Sequence, residues 1–171
     1  YAGNIAYSST EWCQYDDDSV LPQPNMYLNQ SLPVQSESIP GGAFDVDITV
    51  VNTGPAPGGD GEVDSLTLRF IHETLGDVSS DYTPTLTSGQ SFPNENVLGD
   101  AVETFSYNVL VAPTADEGLI TIQAAMDWED DEDGTPSGTD NEITDAGDIM
   151  VRALVPVTID SWDANPTNVP I

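Results

Sequence analysis

Cationic residues are nearly absent from this sequence. Its 171 residues include 30 Asp and Glu, only Arg69 and Arg152 as bases, and no lysine, so the formal net charge is −28 at pH 7. Nucleic-acid phosphates and anionic membrane surfaces attract clusters of Lys and Arg, and this chain has none to offer. The composition therefore excludes nucleic acid as a partner. It also requires salt, divalent cations or another subunit near the carboxylates.

Cysteine, histidine and long apolar runs are also scarce. Cys13 is the only cysteine, so it forms either an intermolecular bridge or a small, partly buried apolar site. His72 is the only histidine and is expected to end a strand, and no lysine is present to act as a base, so we predict that the protein is not an enzyme. No run of 18 apolar residues occurs, which predicts no membrane insertion. A start at Tyr1 rather than Met is typical of a mature secreted protein or of a trimmed chain.

What the sequence does contain is alternation of apolar and polar residues. Runs of period two, bounded by Gly, Pro, Asn and Asp, are typical of half-buried β-strands, and no segment keeps a convincing helical period. We predict strands at 31–38, 44–52, 63–72, 79–87, 102–111, 118–127 and 148–159. Seven short strands with turn-rich connections predict an all-β fold, an Ig-like antiparallel β-sandwich without a disulfide.

The sandwich does not account for the two ends of the chain. Residues 1–30 are rich in aromatic side chains, are interrupted by Pro22 and Pro24, and predict an extended N-terminal segment. Residues 31–160 are assigned to the sandwich and residues 161–171 to a C-terminal tail.

One stretch carries a family resemblance. The run SIPGGAFDVDITVVNTGPAPGG resembles the opening of CARDB-type (cell-adhesion-related) Ig-like domains of prokaryotic surface proteins, which begin with a Pro-Gly turn, an alternating strand and Val-x-Asn-x-Gly. The matching residues are Pro40, Gly41, Phe44, Val46, Ile48, Val50, Asn52 and Gly54. The resemblance covers about 35–160, and it implies an extracellular or cell-surface location and a structural or adhesive role. It implies no catalytic residue.

The densest group of carboxylates lies at 127–145, in DWEDDEDGTPSGTDNEITD. Calcium takes six to eight oxygen ligands, and alternating carboxylates on a loop that turns at a glycine can converge on it. Gly134 fits the turn position of such a loop. The predicted calcium ligands are Glu129, Asp131, Asp133, Thr135 and Asp140. The alternative is a solvated acidic loop.

Three weaker signals remain. The acidic stretches at 16–18 and 60–64 are candidates to complete a shared cation site, or are solvated loops. Asn29 begins the one permitted glycosylation triplet, Asn29-Gln30-Ser31.

Two functions fit these observations. The first is a secreted structural subunit that forms a homopolymer, an extracellular filament or sheath, by strand exchange, similar in general plan to donor-strand filament subunits. Its N-terminal segment enters the sheet of a neighbouring copy through Tyr1, Ile5, Tyr7 and Trp12, or the C-terminal segment around 162–171 does so. The second is a monomeric, calcium-stiffened Ig-like adhesion or binding module of a larger surface protein. In either case the acidity could instead reflect adaptation to high salt without a specific metal.

Overall fold

The computed structural model describes residues 22–29, 33–132 and 138–153; of residues 139–146 it describes the backbone alone. These residues form ten strands and one 3-10 turn, Ser79–Asp81, and no α-helix. The strands are β1 Met26–Asn29, β2 Glu37–Ser38, β3 Ala43–Asn52, β4 Gly61–His72, β5 Gly76–Asp77, β6 Tyr82–Leu86, β7 Glu95–Val97, β8 Ala101–Val111, β9 Gly118–Asp130 and β10 Gly138–Val151. None of the described segments is a helix long and apolar enough to cross a membrane.

The strands form two sheets. Sheet A has the order β1-β3-β8-β6, and all its neighbours are antiparallel. Sheet B has the order β2-β10-β9-β4-β5, with β7 also paired to β4. Its one parallel pair joins β2 to β10. The predicted Ig-like β-sandwich is confirmed, and apart from the β2–β10 pair its neighbouring strands are antiparallel.

The core forms between the inward faces of the sheets, as the alternation predicts. In β3 the side chains of Phe44, Val46, Ile48 and Val50 are fully buried, because they point away from the solvent face that carries Asp45. At one end of the core, Phe70 of β4 stacks on Tyr82 of β6 at a centroid distance of 4.5 Å. Such aromatic contacts between the sheets add stabilisation beyond the burial of area.

The predicted number of strands, about seven, is too low. The additional strands β1, β5 and β7 have two to four residues each, too few to show a period. Predicted strand 31–38 shrinks to the two residues of β2, with one isolated bridge between Pro33 and Val46. The predicted acidic loop at 127–145 is largely strand, because β9 continues to Asp130 and β10 begins at Gly138.

The sandwich also begins earlier than predicted. Residues 26–29, placed above in the N-terminal segment, pair with β3 as β1 and bury Met26 and Leu28 in the core.

The chain enters and leaves the sandwich at opposite ends. At the end that we call the entry pole, the start of β1 lies beside the end of β3 and the start of β8, through the register Met26↔Asn52↔Ala101. At the other end, the exit pole, the last residue of β10, Val151, pairs with Gly118 at the start of β9. The described chain therefore runs in at one pole and out at the other.

Asn52 ties the entry pole together. Its side chain is fully buried, and its Nδ2 donates to the carbonyl oxygens of Gly59 (2.8 Å) and Val97 (2.9 Å). Its Oδ1 accepts from the backbone N–H of Asn25 (3.1 Å) and Gly54 (2.8 Å). One amide thus joins the lead-in to β1, the loop from β3 to β4 and the end of β7, with every donor and acceptor satisfied.

We predict that Asn52→Ala lowers the free energy of unfolding by about 3 kcal/mol, because it leaves two buried carbonyls, one buried N–H and one partly buried N–H without partners. Denaturant titration measures the loss. The matched control is Asn108→Ala, which removes one exposed hydrogen bond and is expected to lower stability by less than about 1 kcal/mol. Equal losses in the two variants would contradict the role of Asn52.

Candidate functional site

The outward carboxylates of sheet A are bonded across strands to neutral donors. Asn108 of β8 donates to Asp45 of β3 through Nδ2 (2.8 Å). Two residues further along β3, Ser106 donates to Asp47 through Oγ (2.6 Å). Both pairs are directly opposite in the register. Charge-assisted hydrogen bonds of this kind order the carboxylates without neutralising them.

Sheet B repeats the arrangement on its own outer face. Ser65 of β4 donates to Asp127 of β9 (2.9 Å), and Thr121 of β9 donates to Asp148 of β10 (2.7 Å). The outer faces of both sheets thus keep their negative charge, which is left for solvent cations to screen.

Both arginines form salt bridges. Arg69 donates to Asp77 (2.9 Å), and Arg152 donates to Glu37 (3.2 Å). Hydrogen bonds from Ser79, and then from Arg69, hold the pKa of Asp77 well below its usual range. All four bridge partners are substantially exposed, so each pair is expected to contribute little to stability.

The predicted calcium ligands are distributed over a hairpin. Glu129 lies within β9, opposite Glu62 of β4, and Asp131 follows in the turn. Asp140 lies in β10, paired through its backbone with Met126. Asp133 and Thr135 lie outside the described residues. The five predicted ligands therefore do not share one loop, and calcium binding stays a prediction.

Three carboxylates from two segments, the start of β4 and the turn after β9, lie near one another at the entry pole beside this hairpin. They are Asp60, Glu62 and Asp131. Asn96 of β7 donates to Asp131 (2.9 Å), and Asn94 donates to Glu62 (2.6 Å). We call Asp60, Glu62 and Asp131 the entry-pole carboxylates. Within the described part of the chain, no three His, Cys, Asp or Glu side chains form a group that could hold a metal ion.

The entry-pole carboxylates repel one another. Desolvation of its carboxyl, followed by the hydrogen bond and charge of Glu62 and the charge of Asp60, raises the pKa of Asp131, while Asn96 opposes the shift. A proton or a cation between Asp131 and Glu62 would relieve this repulsion.

His72 is used structurally. It is 5% exposed and ends β4, as predicted. Its Nδ1 accepts from the backbone N–H of Thr74 (3.1 Å) and Leu75 (3.3 Å). These acceptor bonds leave the proton on Nε2, which lies 3.0 Å from the carbonyl oxygen of Glu117 and donates to it. The imidazole therefore fixes a turn, and neither nitrogen is available as a base.

The other predicted sites fall partly within the described residues. Asn29 is exposed at the end of β1, an accessible position for glycosylation, which stays a prediction. The predicted interface residues lie outside the described residues: Tyr1, Ile5, Tyr7 and Trp12.

Sequence reasoning missed the roles of the neutral partners. Asn94, Asn96, Ser106 and Asn108 read as ordinary turn or strand residues, and Asn52 as part of a turn motif. The signal that could have found them is register. Once β3 and β8 are paired, each outward Asp of β3 faces a side chain that can donate.

Comparison with known proteins gives distant similarities. No protein-family model and no curated protein matches the chain. It is similar to the PapD-like domain 7 of human CEP192 at 7% identity, covering 90% of this chain and 96% of that one, with a TM-score of 0.45. It is similar to a CARDB domain from Pyrococcus furiosus, in complex with di-metal ions, at 17% identity, covering 82% and 98%, with a TM-score of 0.37.

A third similarity is to a family 123 glycoside hydrolase from Clostridium perfringens, at 12% identity and a TM-score of 0.43. The match covers 78% of this chain but only 28% of the hydrolase chain, so the present chain spans less than a third of that enzyme. The CARDB domain is a distant match at the level of fold, and membership of that family stays a prediction.

We predict that Asp131→Asn stabilises the protein at pH 7, by less than about 1 kcal/mol for so exposed a site. A raised folded-state pKa means that the folded protein favours the protonated carboxyl. The resulting stabilisation is complete below the unfolded-state pKa and is lost as pH rises through the folded-state pKa. The side-chain amide of the Asp131→Asn variant does not ionise, so this variant should not lose that stabilisation as pH rises.

The measurement is the free energy of unfolding of both proteins from pH 3 to pH 8. The control is Glu117→Gln, which removes the same charge at an exposed position outside the entry-pole carboxylates. If both variants gain the same stability at pH 7, the effect is one of net charge and the local explanation fails.

Proposed function

We propose that this chain is a non-catalytic structural module of an extracellular or cell-surface protein, connected in line with its neighbours. The observation that carries the proposal is the path of the chain, which enters the sandwich at one pole, near Met26, and leaves it at the other, near Val151. Such a module joins a preceding and a following segment without doubling back, as a spacer in a stalk requires.

The charge of the surface supports an extracellular setting. The outer faces hold their carboxylates with serine, threonine and asparagine donors, so little of the net charge of −28 is cancelled within the molecule. Like-charged modules repel one another sideways, and this repulsion favours an extended, unbundled arrangement in salt.

Calcium binding at the hairpin is part of the proposal. Its support is the raised pKa of Asp131 beside Glu62 and Asp60, since a dication there would lower the repulsion that a proton relieves. The site also needs ligands from the remainder of the hairpin turn, where Asp133 and Thr135 stand in the sequence.

A filament subunit that exchanges strands is the second candidate. One observation favours it: three apolar side chains lie side by side on the outer face of sheet A, in the register Tyr27↔Val51↔Val102. Tyr27 is 41% and Val102 61% exposed. Against it, the described strands already form two sheets that bury an apolar core between them. Tyr1, Ile5, Tyr7 and Trp12 stay the predicted contact residues.

Sedimentation velocity and negative-stain imaging of the purified chain distinguish the two candidates. The module predicts a monomer at high protein concentration, with and without calcium. Filaments that disappear on deletion of residues 1–12 would overturn the module and support strand exchange. Filaments that survive the deletion would contradict both the module and N-terminal donation.

The in-line arrangement is tested by small-angle scattering of a fusion of two copies joined end to end. We expect a maximum dimension close to twice that of one copy, and a compact particle would contradict the proposal.

Calcium binding is tested by thermal unfolding at constant ionic strength. We expect the melting temperature to rise with added calcium and to fall back with EGTA, because a ligand that binds only the folded state stabilises it. Asp131→Asn should weaken the response, whereas Glu117→Gln should not. An unchanged melting temperature in all three proteins would remove calcium and leave general screening by salt.

A further inference from the structure

The second strand of the incoming chain, β2, is bonded to the last described strand, β10. β2 and β10 pair in parallel at the exit pole, in the register Met150↔Glu37 and Val151↔Ser38. Met150 N–H donates to the carbonyl oxygen of Ser36 (3.0 Å), and Arg152 N–H donates to that of Ser38 (3.0 Å). The Arg152–Glu37 salt bridge lies across the same pair of strands.

The segment that leads to β2 is fastened along the other sheet. β1 pairs with β3 over four residues, from Met26↔Asn52 to Asn29↔Thr49. Beyond it, Val34 N–H donates to the carbonyl oxygen of Asp45 (3.1 Å), and Pro33 bridges to Val46. The incoming chain is thus bonded first to sheet A and then to sheet B.

Direction decides how these bonds respond to tension. β1, β2 and β10 all run from the entry pole toward the exit pole. Tension between the two ends of the chain draws β1 and β2 toward the entry pole and β10 toward the exit pole. The strands are therefore pulled along their length, across the hydrogen bonds that join them to their neighbours. These bonds are perpendicular to the strands in the antiparallel β1–β3 pair and slanted in the parallel β2–β10 pair. Bonds loaded in this way share the force, whereas strands pulled apart sideways lose their bonds one at a time.

We propose that the β2–β10 junction, together with the β1–β3 pair, is a force-bearing clamp that keeps the sandwich folded under tension along the stalk. The biological use of the clamp rests on the proposed function, but its existence is a property of the single sandwich. The clamp ties Arg152, which follows β10 in the outgoing chain, to the incoming strand β2.

The test is unfolding under constant force, with handles on the two ends of the full chain. The variant Arg152→Pro removes the N–H that bonds Ser38 and the salt bridge to Glu37. Thr87→Pro is the matched control, because it removes two exposed edge bonds, from the N–H and Oγ1 of Thr87 to the carbonyl oxygen of Ser106, in a part of sheet A that the tension does not cross. Denaturant titration is run on both variants.

We expect Arg152→Pro to unfold about five to ten times faster than wild type at the same force, as the loss of one shared hydrogen bond and one exposed salt bridge implies. Thr87→Pro should keep the wild-type rate under force within about twofold, even though both variants lose similar stability in denaturant. Equal acceleration in the two proline variants would overturn the clamp.

A second pair of variants keeps the test decisive if a proline variant does not fold. Arg152→Gln and Arg69→Gln each remove one exposed salt bridge and keep every backbone N–H. Only Arg152→Gln should unfold faster under force, by about twofold. An unchanged rate for Arg152→Gln, or an equal change in Arg69→Gln, would contradict the clamp.

The clamp and the proposed function can fail separately. A compact two-copy fusion in scattering would remove the stalk but leave the clamp intact. Equal force responses in the matched variants would remove the clamp and leave an in-line module without mechanical specialisation.

Discussion

The buried amide of Asn52 is the interaction on which the entry pole depends. It supplies two donors and two acceptor bonds within one flat group, and all four partners are backbone atoms of three different segments. No apolar side chain of that size could satisfy them, and a carboxylate would face the carbonyl oxygens of Gly59 and Val97 with repulsion. Gly54 belongs to the same arrangement, since a side chain there would collide with the carbonyl oxygens of Gln23 and Gly59.

The crowding of acidic groups at this pole follows from the same constraint. Asn52 holds the end of β7 beside the loop that leads into β4, and β4 pairs with both β7 and β9. Asp131 is thereby brought beside Asp60 and Glu62 although it is far from them in sequence. The bonds from Asn94 and Asn96 fix two of these carboxylates but do not cancel their charge. These carboxylates are held in place although they repel one another, because the pairing of the backbone strands, rather than the carboxylates, determines their positions.

Much of the sandwich was predictable, and the failures have identifiable causes. β3 was predicted within one residue, because ten alternating residues give a clear period. The start of β10 was missed by ten residues, since its register shifts between Asp140 and Ile143 and again before Gly147. Each shift changes the phase of the alternation, so the inward and outward positions no longer follow a simple period. The proximity of Glu62 to Asp131 could not be predicted from the sequence either, because it depends on the pairing register of β4 and β9, two strands that are far apart in the sequence.

The opposite placement of the two poles bears on how such a protein can lengthen over generations. A duplicated coding segment adds a complete sandwich to the chain without rerouting any strand of the copies that flank it. In the proposed in-line arrangement, each copy would bring its own carboxylates on both outer faces, so added copies would extend the molecule and their mutual repulsion would disfavour side-by-side packing. Length can therefore change by whole units, without redesign of the unit itself.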